Sequence, residues 1–247
     1  GKAHDLKNET NKQDYFTINT KLTKELFDFF LESDCETFIY LSSVKAVADK
    51  TTKILTEKTL PNPLTGYGKS KLAAENYIRK NKLRMGKRVF ILRPCMIHGP
   101  NNKGNLNLLY GLVSKRIPWI LGSYENKRSY CTVDNLSFVI KELIINKKIS
   151  SGIYNIADDL PLSTNELIFL ISKSKNNSPL IFNVSKSFIE IIAKIGDKIP
   201  LPLNSRRLEK LTESYVVSNQ KIKKAIGKSL PINSKEGLLS TFKSFQT

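Results

Sequence analysis

The sequence has few of the residues that build disulfide frameworks and metal sites. Its 247 residues include only three cysteines, Cys35, Cys95 and Cys131, and two histidines, His4 and His98. The cysteines are widely spaced, without a Cys-x-x-Cys pair, and no histidine cluster accompanies them. We therefore predict three reduced cysteines in a cytoplasmic protein, and no metal site.

Long apolar runs are absent as well. The longest, such as LIFLI at 167–171 and FIEIIAKI at 188–195, fall well short of the ~18 residues that a membrane span requires. The opening stretch, GKAHDLKNETNKQD, is polar throughout and lacks the apolar core of a secretory signal. The pattern predicts a protein without a membrane span, and we expect it in the cytoplasm.

Acidic residues are also few: the chain has 22 Asp and Glu but 40 Lys and Arg, which gives a net charge of +18. Such a charge would suit nucleic acid, because bound cations release phosphate counterions. The basic residues are spread along the chain, however, and their densest groups, within 141–148 and 221–224, are typical of exposed helix faces. We expect no nucleic-acid partner, and the positive field favours an anionic small molecule such as a nucleotide diphosphate.

The first part of the chain alternates between helix and strand patterns. Apolar residues at helical spacing predict a helix over about 13–32, and TFIYLSS at 37–43 predicts a short buried strand. A second helix near 67–82 and the strand RVFILR at 88–93 follow. This order implies parallel strands joined by crossover helices, which is an α/β fold.

Beyond position 100 the pattern indicates a smaller, mixed α/β lobe. Ser163 and Glu166 predict a capping box, Ser218 a helix N-cap and Gly227 a helix stop in a mostly helical tail. The other expected elements are helices near 105–115 and 134–146 and strands near 117–121, 128–133 and 152–157.

The stretch GYGKSK at 66–71 places Tyr67 four residues before Lys71. With nine tyrosines, chance alone predicts roughly 1.5 such pairs of tyrosine and a basic residue, so the spacing by itself proves nothing. On a helix, however, the two side chains would share one face, and the ammonium would stabilise a phenolate whose pKa is ordinarily near 10. The same ammonium could hold a cofactor ribose. The pair is therefore a candidate proton-transfer device.

Polar side chains near this pair extend the candidate site. Ser42 and Ser43 end a predicted parallel strand, where open α/β sheets place their ligand crevices, and a hydroxyl there can bond a reacting oxygen. Asn19, in the preceding helix, could hold a water between the lysine and solvent. Taken singly, Ser43 fits a turn residue at a strand end equally well, and Asn19 fits a solvated helix position.

Five segments in order and spacing resemble the extended short-chain dehydrogenase/reductase family: YFTINTKLT, FIYLSSVKAV, GYGKSKLAAE, LRPCMIHGP and RSYCTVDNL. Within it, the chain looks like NAD-dependent epimerase/dehydratases, close to UDP-galactose 4-epimerases and UDP-sugar 4-ketoreductases of surface-polysaccharide synthesis. The resemblance implies part of a Rossmann-type doubly wound parallel sheet with a smaller substrate lobe. Residues 1–100 would form the C-terminal part of the dinucleotide-binding domain, to which segments near 128–157 partly return. Residues 101–247 would be mainly substrate-binding.

The resemblance also implies roles for individual residues. The catalytic residues would be Tyr67, Lys71, Ser43 and Asn19. The cofactor, NAD or alternatively NADP, would contact Tyr67 and Lys71 together with Gly1, Lys2, Ser42, Pro94 and Cys95. A UDP-sugar substrate would contact Asn105, Arg128 and Met96. The partner protein would be a second copy, in a homodimer.

Three departures from the family pattern leave alternatives open. Gly66 stands where relatives usually have proline, and Met96 where 4-epimerases have asparagine. No Gly-x-Gly-x-x-Gly occurs, and GKAHD resembles the end of the family's fourth strand, so we expect roughly 60 to 70 further residues before it. The 247 residues alone would then bind NAD weakly or not at all. Epimerisation, reduction and dehydration all remain possible reactions, and a catalytically inactive nucleotide-sugar-binding module is the alternative to an enzyme.

Overall fold

The computed structural model describes residues 12–102, 104–200 and 203–246. These residues form two compact units, each assembled from separate segments of the chain. The first unit comprises Met96 and the described residues before it, together with Asn135–Ala157 and Val217–Pro231. The second unit comprises the described residues of Ile97–Asp134, Asp158–Val216 and Ile232–Thr247.

A parallel sheet lies at the centre of the first unit. The strands of the described chain are β1 (Thr37–Leu41), β2 (Arg88–Pro94), β3 (Met96–His98), β4 (Tyr130–Thr132) and β5 (Gly152–Ile156). The sheet has the order β1-β2-β5, with Tyr40 opposite Ile91 and Ile91 opposite Ile153, whereas β3 and β4 form a two-stranded sheet. The prediction of an α/β fold with parallel strands is confirmed.

Helices make up most of the remaining regular structure. They are α1 (Lys12–Tyr15), α2 (Leu22–Glu32), α3 (Gly66–Lys80), α4 (Asn105–Ser114), α5 (Val133–Ile145), α6 (Thr164–Ser174), α7 (Lys186–Gly196), α8 (Ser205–Thr212), α9 (Gln220–Ile226) and α10 (Ser234–Lys243). A π-helical turn, Phe16–Lys21, joins α1 to α2, so the predicted first helix is present but contains a wider turn. Short 3₁₀ turns occupy Val44–Ala46 and Ser244–Gln246.

The core of the first unit forms where α2 and α3 pack on the sheet. Phe27 and Phe30 of α2 and Ile78 of α3 are buried against Tyr40 and Ile91. The ring centroids of Phe27 and Phe38 are 5.2 Å apart in an edge-to-face arrangement, which aromatic pairs favour. This packing fixes α3, which carries the candidate catalytic residues, against the end of β1.

Several local predictions are confirmed at helix ends. The Ser163 side chain accepts from the backbone N–H of Glu166, whose carboxylate accepts from the Ser163 N–H, as in a capping box. Gly227 ends α9 with φ at 68°, a conformation that glycine adopts without strain. The Ser218 prediction is off by one residue. The N-cap of α9 is Asn219, because the Ser218 N–H bonds the Leu55 carbonyl in an isolated bridge beside Val217.

The strand predicted near 117–121 is wrong. Only isolated bridges occur there, Trp119 with Ile181 and Leu121 with Asn183. Pro118 has no N–H to donate, so the ladder cannot extend towards the N-terminus from Trp119. The strand predicted over 128–133 shortens to Tyr130–Thr132, because Val133 already begins α5.

The described residues contain few other features that would narrow the function. Cys35, Cys95 and Cys131 are free thiols, and the latter two are buried. No group of three or more metal-ligating side chains is found among residues 12–102, 104–200 and 203–246. Over the same ranges, every helix is too short or too polar to cross a bilayer.

Candidate active site

A close backbone approach positions the start of α3. Thr65 caps the helix by accepting from the Gly68 N–H at 3.2 Å. A Cβ atom at position 68 would collide with the Lys45 carbonyl oxygen and would lie 2.8 Å from the Pro63 Cβ, so only glycine allows this approach. The first turn of α3 therefore packs directly against the Val44–Ala46 turn, beside Ser43.

The Ser43 side chain lies within hydrogen-bonding influence of the Tyr67 phenol, so a hydroxyl and a phenol that could act on one substrate oxygen are side by side. Burial raises the pKa of Tyr67 above its ordinary value of 10, and the hydrogen bond with Ser43 opposes this increase. The Tyr15 ring lies edge-on to Tyr67, with 6.0 Å between the centroids, and also raises its pKa. Ser43 additionally accepts from the Lys45 N–H at 3.2 Å and caps the short turn, so its turn role and its contact with Tyr67 coexist.

Lys71 follows Tyr67 by one turn of α3 and is buried. Its ammonium donates to the Leu41 carbonyl at 2.8 Å and lies 5.0 Å from the centroid of the Tyr40 ring. Burial lowers the pKa of Lys71 from 10.5 to about 8, and the nearby Glu75 carboxylate opposes that decrease. The Leu41 carbonyl accepts a hydrogen bond from one of the three N–H groups of the Lys71 ammonium. Stabilisation of the Tyr67 anion by Lys71 stays a prediction.

A fully buried ion pair lies one turn beyond Lys71. The Arg93 Nε donates to the Glu75 Oε1 and Oε2 at 3.0 and 3.1 Å, and its Nη2 also bonds Oε2. The Ser42 hydroxyl donates its proton to the buried Glu75 Oε1. A contact between Ser42 and the cofactor stays a prediction. Sequence reasoning did not single out this network. An arginine within the buried run RVFILRP, and a glutamate four residues after Lys71, were the available signals.

Asn19 lies in the π-helical turn and is buried. This excludes the alternative, considered from the sequence, that Asn19 occupies a solvated helix position. Its Nδ2 donates to the Ser70 Oγ at 3.2 Å, and Thr20 donates to the Ser70 carbonyl at 2.8 Å. Wider turns of this kind occur frequently at functional sites. Through Ser70, Asn19 contacts the helix that carries Tyr67 and Lys71.

The predicted cofactor-binding residues at the end of β2 share the carboxyl edge of the sheet with Ser42 and Ser43. Cys95 is buried and donates its N–H to the Ile156 carbonyl at 3.0 Å, and Pro94 lies opposite Ile156 in the ladder. Ligands of open α/β sheets bind at this edge. Met96 is half-buried, and Gly1 and Lys2 lie outside the described residues.

Two residues predicted to bind substrate, Asn105 and Arg128, belong to the second unit. Asn105 is exposed at the start of α4, whose N-cap Gly104 has φ at 141° and supplies no capping side chain. The Arg128 Nε donates to the Glu213 carbonyl at 3.1 Å, and its Nη2 lies 3.2 Å from the Glu213 carboxylate. A diphosphate at Arg128 would have to compete with this carboxylate.

The structure thus brings Tyr67, Ser43 and Lys71 together in the first unit. Asn19 contacts the same helix through Ser70. A phenol next to a hydroxyl, with a buried amine on the same helix, is equipped to move a proton to and from an alcohol. Residues 1–157 match the sequence profile of the NAD dependent epimerase/dehydratase family. Because this match covers more than half of the chain, the chain belongs to that family, as the five segments predicted.

Curated relatives agree with the family. The chain is 28% identical to a UDP-glucose 4-epimerase of Vibrio cholerae over 234 residues, 94% of this chain and 70% of the relative. It is 29% identical to the N-acetyl-alpha-D-glucosaminyl-diphospho-ditrans,octacis-undecaprenol 4-epimerase of Escherichia coli O157:H7 over 165 residues. That match covers 66% of this chain and 49% of the relative, so the chain spans about half the length of the second protein.

Solved structures share the fold. The UDP-glucuronic acid 4-epimerase of Bacillus cereus in complex with NAD superposes with a TM-score of 0.71 at 18% identity, covering 99% of this chain and 72% of that one. The Bordetella bronchiseptica enzyme WbmG in complex with NAD gives a TM-score of 0.73 at 13% identity, with 99% and 70% coverage. These likenesses confirm the Rossmann-type α/β class.

Proposed function

We propose that the protein is a nucleotide-sugar epimerase or oxidoreductase that acts on a UDP-sugar through a 4-keto intermediate. The observation that carries the proposal is the placement of Tyr67 beside Ser43, with the buried Lys71 one helical turn away at the carboxyl edge of the sheet. Membership of the family and two relatives named as 4-epimerases support the same reading. We also propose that the protein acts in the synthesis of surface polysaccharides.

NAD is the cofactor of the family, and NADP is the alternative for this chain. When bound, it supplies a reversible acceptor for the two electrons that leave the sugar carbon. The described residues fit its nicotinamide end, because the Lys71 ammonium keeps donors beyond the one given to Leu41, and Pro94 and Cys95 line the adjacent strand end. The predicted site therefore pairs a ribose-binding cation with an apolar wall.

In the proposed reaction, Tyr67 takes the proton from the sugar 4-hydroxyl while Ser43 bonds the same oxygen. Burial alone disfavours the phenolate, so the charge of Lys71 has to offset it. With a pKa of about 8, Lys71 is mostly protonated at neutral pH and able to do so. Asn19, buried beside Ser70, would hold the water that completes a proton relay.

The net reaction depends on which face of the 4-keto sugar is reduced again. Reduction on the opposite face gives an epimerase, whereas a substrate that starts as a ketone makes the protein a reductase. The names of the two curated relatives favour epimerisation. Met96 stands where 4-epimerases have asparagine, so the choice of sugar has to be measured.

An assay of sugar interconversion tests this function. The full-length protein with NAD is incubated with UDP-galactose, and the anomeric proton signals of UDP-glucose are followed by NMR. We expect turnover that falls by orders of magnitude in Tyr67→Phe, because the proton acceptor is lost while the ring remains. Tyr77→Phe is the matched control, since Tyr77 lies on the same helix but bonds Asp28 instead. Equal turnover in Tyr67→Phe and the wild type would refute the assignment.

A homodimer through α2 is part of the proposal. Ile18, Leu22, Leu26 and Phe29 lie on one side of the first helical segment and are 38–72% exposed. A continuous apolar row of this kind is typical of a protein interface. We expect a dimer by light scattering at micromolar concentration and a monomer for Leu26→Glu. A wild-type monomer would contradict the prediction.

A further inference from the structure

Helix α7 of the second unit has two apolar faces on opposite sides. Its inner face is buried: Ile189 and Ala193 pack with Leu121 and Leu208 in one cluster. This cluster accounts for the position of the helix. It does not account for the remaining large apolar residues of α7, which point the other way.

The outer face of α7 consists of Phe188, Ile191 and Ile195, followed by Ile199 just after the helix. These side chains are 55%, 55%, 45% and 54% exposed, in that order. At 3.6 residues per turn, the three helical residues lie within about 60° of one another and roughly opposite the buried pair. Single exposed apolar residues are ordinary, but a contiguous row of four marks a surface that meets an apolar environment.

Cations accompany this outer face. Lys194 and Lys198 are exposed beside the row, and Lys186 is exposed at the start of the helix. Over 186–213, basic residues outnumber acidic ones by six to four. The acidic Glu190 lies on α7, whereas Asp197 accepts hydrogen bonds from the Ser205 side chain and backbone N–H. Long lysine side chains can hold their charge in water while their stems cover an apolar surface.

We propose that the outer face of α7 docks on an anionic lipid bilayer, with the helix lying in the plane of the membrane interface. Its apolar row enters the boundary of the acyl chains, and its lysines contact the headgroups, which is the arrangement of interfacial amphipathic helices. At 11 residues, α7 lies on the membrane and is too short to span it.

The charge beside the apolar row decides between a bilayer and a second copy of the chain as the occupant. Pairing two copies through this face would bring the exposed Lys194 and Lys198 of each copy close to those of the other. An anionic bilayer attracts the same charge, by about fivefold in affinity for each lysine near its surface. The observations therefore favour lipid.

Flotation with lipid vesicles tests the proposal on the full chain, independently of catalysis. The probes are vesicles of phosphatidylglycerol and phosphatidylethanolamine, compared with vesicles of phosphatidylcholine alone. We expect binding to the anionic vesicles that is at least tenfold tighter than binding to the neutral ones. The double variant Ile191→Ser/Ile195→Ser should lose at least tenfold of this affinity, and Lys194→Gln about fivefold.

The matched control is Leu108→Ser/Leu112→Ser, which removes two exposed leucines at the same spacing from α4 of the same unit. Its binding should equal that of the wild type, and unchanged circular dichroism melting shows that each variant folds. Three results would overturn the proposal: no binding to anionic vesicles, equal binding to both kinds of vesicle, or self-association that depends on Ile191 and Ile195 without any lipid binding.

Discussion

Removal of the Arg93 side-chain charge is expected to destabilise the first unit strongly. Arg93 and Glu75 are 1% and 0% exposed, and three short N···O contacts join them. Arg93→Met keeps much of the volume but leaves the Glu75 carboxylate buried, with the Ser42 hydroxyl as a hydrogen-bond donor and the Lys71 ammonium as a nearby opposite charge. Loss of one partner of a buried ion pair costs about 3 to 5 kcal/mol.

A double-mutant cycle separates this effect from lost packing. Glu75→Leu/Arg93→Met removes both charges, and apolar replacement of a buried pair is often close to neutral. The Ser42 hydroxyl then loses its acceptor, which costs about 1 kcal/mol, so we expect the double variant to be about 2 to 4 kcal/mol more stable than Arg93→Met. Urea unfolding followed by circular dichroism at pH 7 measures each free energy of unfolding. A cost below about 1 kcal/mol for Arg93→Met, or additive costs in the double variant, would refute the reasoning.

Two further predictions concern α3. Because the pKa of Lys71 in the folded protein is about 8, against 10.5 when unfolded, the unfolded chain binds more protons between these values. The contribution of Lys71 to stability therefore rises with pH from 8 towards 10, by up to about 3 kcal/mol, and Lys71→Met should abolish this rise and stabilise the chain at pH 7. If the free energy of unfolding by urea depended on pH in the same way in Lys71→Met and in the wild type, this prediction would be contradicted. Gly68→Ala should cost about 1 to 3 kcal/mol and reduce turnover, because the new Cβ collides with the Lys45 carbonyl, whereas the control Gly111→Ala, with open space around it, should stabilise α4 by up to about 1 kcal/mol. Equal melting temperatures for the two variants would contradict this account.

Local patterns were sufficient to predict the elements that carry the site. The spacing of apolar residues predicted the first helical segment, and the runs TFIYLSS and RVFILR predicted two neighbouring strands of the parallel sheet. The spacing of Tyr67 and Lys71 could be placed on one helix face because α3 is regular there. These features depend on neighbours in the sequence, which is why the sequence alone was informative.

Features that depend on distant contacts could not be predicted. The π-helical turn around Asn19 accompanies hydrogen bonds to Ser70, about fifty residues away in the chain. The pairing of Arg128 with Glu213 joins residues 85 positions apart and gives no local signal. A strand near 117–121 looked plausible from β-branched and aromatic residues, but the missing N–H of Pro118 and the lack of a continuous partner prevent it.

The central claim is that Tyr67, supported by Ser43 and Lys71, accepts the proton of a sugar hydroxyl. Its most direct test is rapid mixing of the full-length protein and NAD with UDP-sugar, followed by absorbance of the reduced nicotinamide at about 340 nm. We predict a rate of reduction that falls by at least a hundredfold in Tyr67→Phe and stays at the wild-type value in Tyr77→Phe. Reduction at the wild-type rate in Tyr67→Phe would contradict the claim.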